Sequence, residues 1–358
     1  MARVEIFKEI KNRKMQKLYE SMWEGNSVVL KADVINTPLG KMGTNGVVKD
    51  SKNSYSFSGE NKAQALIDTF DIPAKNQKLF RKKFKMVCGG NGHEDRKITT
   101  LHSSSLCSLL FFYNVTENNK LKIDGIGTFT KSIFEYKSPV VKKNHDSCMD
   151  VVLIGKDEAG KDALLFLESK FSEYYITTAK RLKNISDNYL KNKYSQKVYS
   201  TKSLAKLGMH RSEAREGFFD LESDEAFYIS GIKQMISHYV GLRNNLDKNH
   251  EFAKQKTAGQ ERVTEVIKAG AKIYLAEIVF DHIIGDFKMR NGKSYGETYA
   301  EKYKILAELL NEEIKNAYLD NRLSVIPHEL KYSMFVDEGM EYKLDDNVKG
   351  FYWGWDEE

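Results

Sequence analysis

Apolar positions in this chain follow two rhythms. Between Asp150 and Lys170 the chain reads D-V-V-L-I-G-K-D-E-A-G-K-D-A-L-L-F-L-E-S-K. Two apolar runs, residues 151–154 and 163–167, flank a polar turn with Gly155 and Gly160, the pattern of a β-hairpin. A hairpin centred on Ala159 sets Val151 opposite Leu167, Ile154 opposite Leu164 and Asp150 opposite Glu168. Opposed residues share a face, with Cβ atoms about 5 Å apart. Lys170 returns to the face of Glu168 about 6.7 Å further along the strand.

Helical spacing governs most of the remainder. Residues 1–24 predict one or two helices closed by Gly25-Asn26, then a strand over 28–35 and a long polar loop to Gly59. Helical pattern returns over 61–87, interrupted at Pro73, and C-G-G-N-G-H at 88–93 marks a break. A helix is expected over 98–115, whose Ser103–Ser105 would allow close packing on a sheet. A first core strand follows over 128–136, ending at Pro139. Beyond the hairpin the pattern predicts a helix over 224–246, a buried strand over 272–280, an amphipathic helix over 300–319 and a last strand over 324–335. The aromatic tail G-F-Y-W-G-W-D-E-E is expected to pack on this chain or on a partner. The expected fold is α/β: an α/β/α sandwich around a mixed sheet, antiparallel first and then extended through helical crossovers. Residues 1–90 form an N-terminal accessory region, 91–340 the core and 341–358 the tail.

Composition narrows the classes. With 358 residues, 41% hydrophobic and 30% charged, the chain suits a soluble globular protein with a large core. The first residues are charged throughout, and no apolar run approaches the roughly 20 residues of a membrane span. Three scattered cysteines and no H-x-x-H spacing argue against a disulfide framework or a zinc site. A cytoplasmic protein with no membrane partner is expected. A net charge of +6 permits nucleic acid without requiring it.

Two carboxylates with a lysine beside them, at the end of an apolar hairpin, are costly unless paired or bound to metal. The set suits a hard cation such as Mg2+, which takes one or two protein carboxylates and keeps waters. Glu-x-Lys alone says little, since it starts at Glu9, Glu60, Glu135, Glu168, Glu313, Glu329 and Glu341. Glu168 stands apart because an apolar strand leads into it and an Asp-headed apolar strand precedes it. The nearest rival is Asp124 with Glu135 and Lys137, on a strand that looks half-exposed. The plain alternative for Asp150, Glu168 and Lys170 is a surface salt bridge at a hairpin end.

Asp150 with Glu168-Ser169-Lys170 resembles the D…E-x-K signature of the PD-(D/E)XK, or restriction-endonuclease-like, nuclease superfamily. Met149 stands where the name-giving proline often sits. The resemblance covers the motif and the element order over about 95–335. It implies a restriction-endonuclease-like core and a Mg2+-dependent deoxyribonuclease, with Mn2+ as a substitute ion and restriction or defence as the commonest role. A repair nuclease or a non-catalytic DNA-binding module is the alternative. Asp150, Glu168 and the Ser169 carbonyl would hold metal, and Lys170 would position or activate water. Glu135 is a candidate third carboxylate, and Glu94 a weaker one. Gln234 and Lys233 are candidates for phosphate or water contacts. Branches of the superfamily carry Q-x-x-x-Y on that helix, whereas here His238 lies four and Tyr239 five residues after Gln234.

Two basic stretches could meet the implied DNA partner. Arg81, Lys82 and Lys83 lie in K-L-F-R-K-K-F-K, and Lys180, Arg181, Lys183, Lys191 and Lys193 interleave with tyrosines after the hairpin. For the first, a solvated helix face over a buried Phe stripe is the plainer explanation. For the second, a lysine-rich surface helix is the alternative. Glu173 is an ordinary surface carboxylate unless it faces substrate. A homodimer through the accessory region is a further expectation.

Overall fold

The computed structural model describes residues 59–89, 98, 103–141, 145–170, 194, 205–207, 209–211, 219–221, 229–281, 295–316, 321–336 and 340–353. The elements expected over 1–58 lie outside these. Helices α1 (Gly59–Thr69) and α2 (Ala74–Cys88) are separated at Pro73, which caps the second. Pro lacks an N–H and fits only where a helix begins. Helix α3 (Ser104–Phe112) is shorter than its apolar pattern suggested, because the Ser103 side chain accepts from the Leu106 N–H and caps it there.

The central sheet then assembles. Strands β1 (Leu121–Ile123), β2 (Gly127–Val141), β3 (His145–Asp157) and β4 (Asp162–Lys170) form an antiparallel meander. The hairpin register is Val151↔Leu167 through Ile154↔Leu164, as the apolar pattern requires. Any one-residue slip would move this whole set to the wrong face. Leu164, Leu165, Phe166 and Leu167 are fully buried. Each contributes roughly 1.5–3 kcal/mol on burial, which fixes the register. A small separate pair, β5 (Met209–Arg211) and β6 (Phe219–Leu221), follows.

Helix α4 (Ile229–Leu246) and helix α5 (Ala258–Lys268) lead into β7 (Lys272–Val279), which runs parallel to β4. Helix α6 (Tyr295–Asn316) precedes β8 (Leu323–Val325) and β9 (Leu330–Lys331), both parallel to β7. The expected single strand over 324–335 is thus two short strands and a 3-10 turn at Tyr332–Phe335. Pro327, with no N–H for a ladder, separates the strands. Helix α5 was not foreseen, although Thr257 and Gln260 form a full capping box at its start.

The protein is therefore α/β, with a mixed seven-stranded sheet ordered β1-β2-β3-β4-β7-β8 and β9 beside β7. Neighbouring residues of β4 show where helices lie: Ser169 bonds the Ser104 carbonyl at the start of α3, while Glu168 and Lys170 bond α4. Successive strand side chains point to opposite faces, so Ser169 turns towards α3 and its neighbours Glu168 and Lys170 towards α4. Phe80 and Phe84 of α2, and Val348 and Tyr352 of α7 (Asp346–Trp353), join one hydrophobic core with the strands. Tyr113 donates to Asp345 and Tyr342 to the Phe111 carbonyl, fastening α7's approach to α3.

Candidate functional site

Asp150, Glu168 and Lys170 do converge. Asp150 lies one step past the Val151↔Leu167 pair, so it stands across from Glu168. Its Oδ2 accepts the Ser169 N–H at 2.8 Å. Lys170 Nζ donates to Glu168 Oε1 at 2.5 Å and to Gln234 Oε1 at 2.7 Å. Glu168 and Lys170 are 2% and 3% exposed, which rules out the surface salt bridge at a hairpin end. The Ser169 hydroxyl faces away, bonded to the Ser104 carbonyl and the Tyr332 hydroxyl.

Opposite Asp150 on β2 stands Glu135, between the Phe134↔Val151 and Tyr136↔Met149 pairs. Its backbone is left-handed, with φ 57°, a conformation that costs a non-glycine residue about 1–2 kcal/mol. Gln260 at the start of α5 stabilises it, donating to the Phe134 and Glu135 carbonyls at 2.9 and 2.7 Å. The buried Glu135 carboxylate accepts from the Cys148 thiol at 2.9 Å. So β2 brings a third carboxylate to the edge of the site, as its position near Pro139 suggested.

Electrostatics divides these acids. Burial pushes the Asp150 carboxyl well above the ordinary carboxylate range, and the charges of Glu168 and Glu135 add to it. Lys170 and the Ser169 N–H offset only part of this. Burial alone would raise Glu168 too, but Lys170 and the His238 imidazole outweigh it and hold its pKa down at about 2. Burial and Glu135 together raise the Cys148 thiol. Lys170 thus serves Glu168 first and offsets the field at Asp150 only in part. Among the described residues, no three His, Cys, Asp or Glu side chains are grouped to hold a metal ion by themselves.

Helix α4 carries two of the site's side chains. Gln234 reaches Lys170, and one turn later His238 Nε2 lies 2.6 Å from Glu168 Oε2. On its far side His238 Nδ1 bonds the Ser147 hydroxyl. His238 was missed as a functional residue. The available signal was its i,i+4 spacing from Gln234, which puts both on one helix face. The row continues across the sheet: Glu277 of β7 pairs in parallel register with Glu168, and its carboxylate accepts from the Tyr299 hydroxyl. A Cβ on Gly231 would collide with that tyrosine, so glycine is what lets α4 lie this close. Next to Glu277, burial and the Glu277 charge raise the Glu329 carboxyl to about 8.

The rival set does not form a comparable centre. Asp124 is 91% exposed and pairs with Lys122 at 3.2 Å in a surface turn. Of the basic candidates, Lys82 is exposed and Arg81 bonds Gln64. Lys83 must be withdrawn: it is buried, with its ammonium on the Ser132 carbonyl inside the core. Desolvation, with Lys131 and Lys82 nearby, lowers its pKa to about 7. In that helix the Phe80 and Phe84 stripe takes Lys83 inside with it. Lys233 is half-buried, and burial lowers its pKa. Lys180, Arg181, Lys183, Lys191, Lys193, Glu94 and Glu173 lie outside the described residues. No family model, curated protein or solved structure matches the chain.

Proposed function

We propose that this chain is a metal-dependent deoxyribonuclease of the restriction-endonuclease-like type, an endonuclease acting in restriction or defence. The observation that carries the reading is the meeting of Asp150 with the buried Glu168 and Lys170 at one end of the β3–β4 hairpin. The element order around it supports the same reading. Helix α3, the meander β2-β3-β4, helix α4 and parallel β7 match the order expected of an α/β/α sandwich with that core. Among the described residues no helix is long and apolar enough to cross a membrane.

The donor set fits Mg2+, with Mn2+ as substitute. Asp150 and Glu168 supply hard oxygens, the Ser169 carbonyl a third, and a ring of waters would complete the shell. Asp150 is held against ionisation first by desolvation and then by Glu168 and Glu135, a strain that a divalent cation would relieve. Glu168 has both oxygens engaged, but two oxygens offer about four lone-pair positions. When bound, the ion acidifies a coordinated water and offsets charge on the phosphoryl oxygens. Lys170, held as an ammonium by Glu168 and Gln234, would position the attacking water as a hydrogen-bond donor. Glu135 contributes negative charge behind Asp150 and, through it, strengthens the pull on a cation. The exposed Lys82 and the basic stretch after β4 would serve the DNA backbone.

Cleavage of supercoiled plasmid DNA tests this. Wild type should nick or linearise it with Mg2+ and not with EDTA, and Lys170→Ala should lose about 10²-fold or more. Salt-sensitive DNA binding with no cleavage by wild type would instead favour a non-catalytic module of the same fold. Selective cutting of branched or damaged DNA would favour repair or recombination.

A second reading has one specific observation behind it. Ser147, His238 and Glu168 have the connectivity of an activated serine. Ser147 is only 6% exposed, however, on a central strand, which leaves an acyl substrate no approach. A fluorophosphonate probe should therefore leave Ser147 unlabelled.

A further inference from the structure

Each oxygen of Glu168 has a different partner: Oε1 takes the Lys170 ammonium and Oε2 the His238 ring. A carboxylate can only accept, so His238 Nε2 carries the hydrogen. In the neutral ring Nδ1 is then the acceptor, and the Ser147 hydroxyl donates to it. His238 and Ser147 are 3% and 6% exposed, and the chain Ser147–His238–Glu168 spans β3, α4 and β4. Without the Nε2 donor, Glu168 would keep Lys170 as its one cationic partner and could rotate fully onto it.

We infer that His238, anchored by Ser147, is a positioning residue that fixes the Glu168 carboxylate so that it is shared between Lys170 and a bound divalent cation. The inference rests on the nuclease reading above. It deepens that reading by assigning a function to His238, which touches the E-x-K strand's acid. Residues holding a ligating carboxylate by hydrogen bonds commonly alter metal affinity about 10–100-fold when replaced.

Two substitutions of opposite geometry separate positioning from bulk. His238→Gln places an amide near Nε2 and can still donate to Glu168. His238→Asn places its amide near Nδ1, keeping Ser147 company without reaching Glu168. Mn2+ and Mg2+ affinity is measured by calorimetry on the full-length chain, with melting temperature and plasmid cleavage alongside. Expected is a metal affinity weakened about tenfold or more in His238→Asn, and restored to within about threefold of wild type in His238→Gln. In cleavage, the Mg2+ concentration at half-maximal rate should rise in His238→Asn, while the rate at saturating Mg2+ falls far less.

Ser147→Ala offers a second measurement should His238→Asn fold poorly. It should give the same direction with a smaller shift, since the ring keeps its contact with Glu168. Unchanged metal affinity in both His238→Asn and Ser147→Ala overturns the positioning role, as does a His238→Gln affinity no better than that of His238→Asn. If wild type binds neither ion, the nuclease reading falls and this inference falls with it. If wild type binds metal indifferently to His238, only the inference falls.

Discussion

Two acid–base sets of the same letters occur within fifty residues of each other: Asp124 with Glu135 and Lys137, and Asp150 with Glu168 and Lys170. In the first, Asp124 is held by Lys122 in open water, at 91% and 62% exposure. In the second, Glu168 and Lys170 are almost wholly enclosed. Water screens the first pair to a small energy, whereas removing one partner of the second strands a charge in a low-dielectric interior. Residue type and spacing do not make a reactive centre; the surroundings that the strands impose on them do. Glu135 illustrates the point, since it belongs to the first motif in sequence and to the second in space.

The largest test of that contrast is Lys170→Ala. Besides losing cleavage, it should destabilise the fold by about 3 kcal/mol or more, because Glu168, Asp150 and Glu135 then share one buried region without their ammonium. Denaturant titration at pH 7 measures it, and a change below about 1 kcal/mol would show that the pair is solvated after all.

Lys83 comes next. Its pKa is lowered in the fold to about 7, below the unfolded value near 10.4. Between those values the unfolded chain binds more protons, so the group makes stability rise with pH through that window, and its full cost is present below pH 7. Lys83→Met should therefore stabilise the protein by on the order of a few kcal/mol at pH 6 and much less at pH 10. Urea titrations at the two pH values would expose any variant that responds equally at both.

The acids of the second set have opposite signs. Glu168, at about 2 in the fold, stabilises above its unfolded value near 4.3 and loses that contribution as pH falls towards 2. Asp150, raised in the fold, costs stability as pH climbs past its unfolded value near 3.9. Asp150→Asn should thus abolish cleavage while raising stability at pH 7 by about 1 kcal/mol or more, the trade of stability for activity seen at strained sites. Thermal melts from pH 3 to 8 should show the gain growing with pH; a loss at pH 7 would contradict the assigned strain. The smallest effect belongs to Asp124→Asn, expected to stay within about 0.5 kcal/mol and to leave cleavage unchanged.

Much of this arrangement is legible in the sequence. Alternation and run length placed the hairpin to the residue, because a one-step slip would expose Leu164 to Leu167 and no other register hides them. A helix within the expected 98–115, a further sheet strand after α4 and the pairing of Asp150 with Glu168 were legible too, although the helix itself covers only Ser104–Phe112. Less legible was Lys83, whose basic neighbours suggested a solvent face although its turn of helix points inward with Phe80 and Phe84. Helix α5 was overlooked because its apolar positions are few, even though Thr257 and Gln260 announce its start.

By itself the sequence determined which side chains could be hidden and, through the period of two along β3 and β4, which acids stand opposite each other. Only the tertiary structure decided what those acids meet: His238 and Gln234 arriving from α4, Glu135 turned by its left-handed backbone, and Glu277 alongside from β7. The physical reason is range. Side-chain period is a local property carried by neighbouring residues, whereas the field at a buried carboxylate is summed over groups that the chain brings together from more than a hundred residues apart.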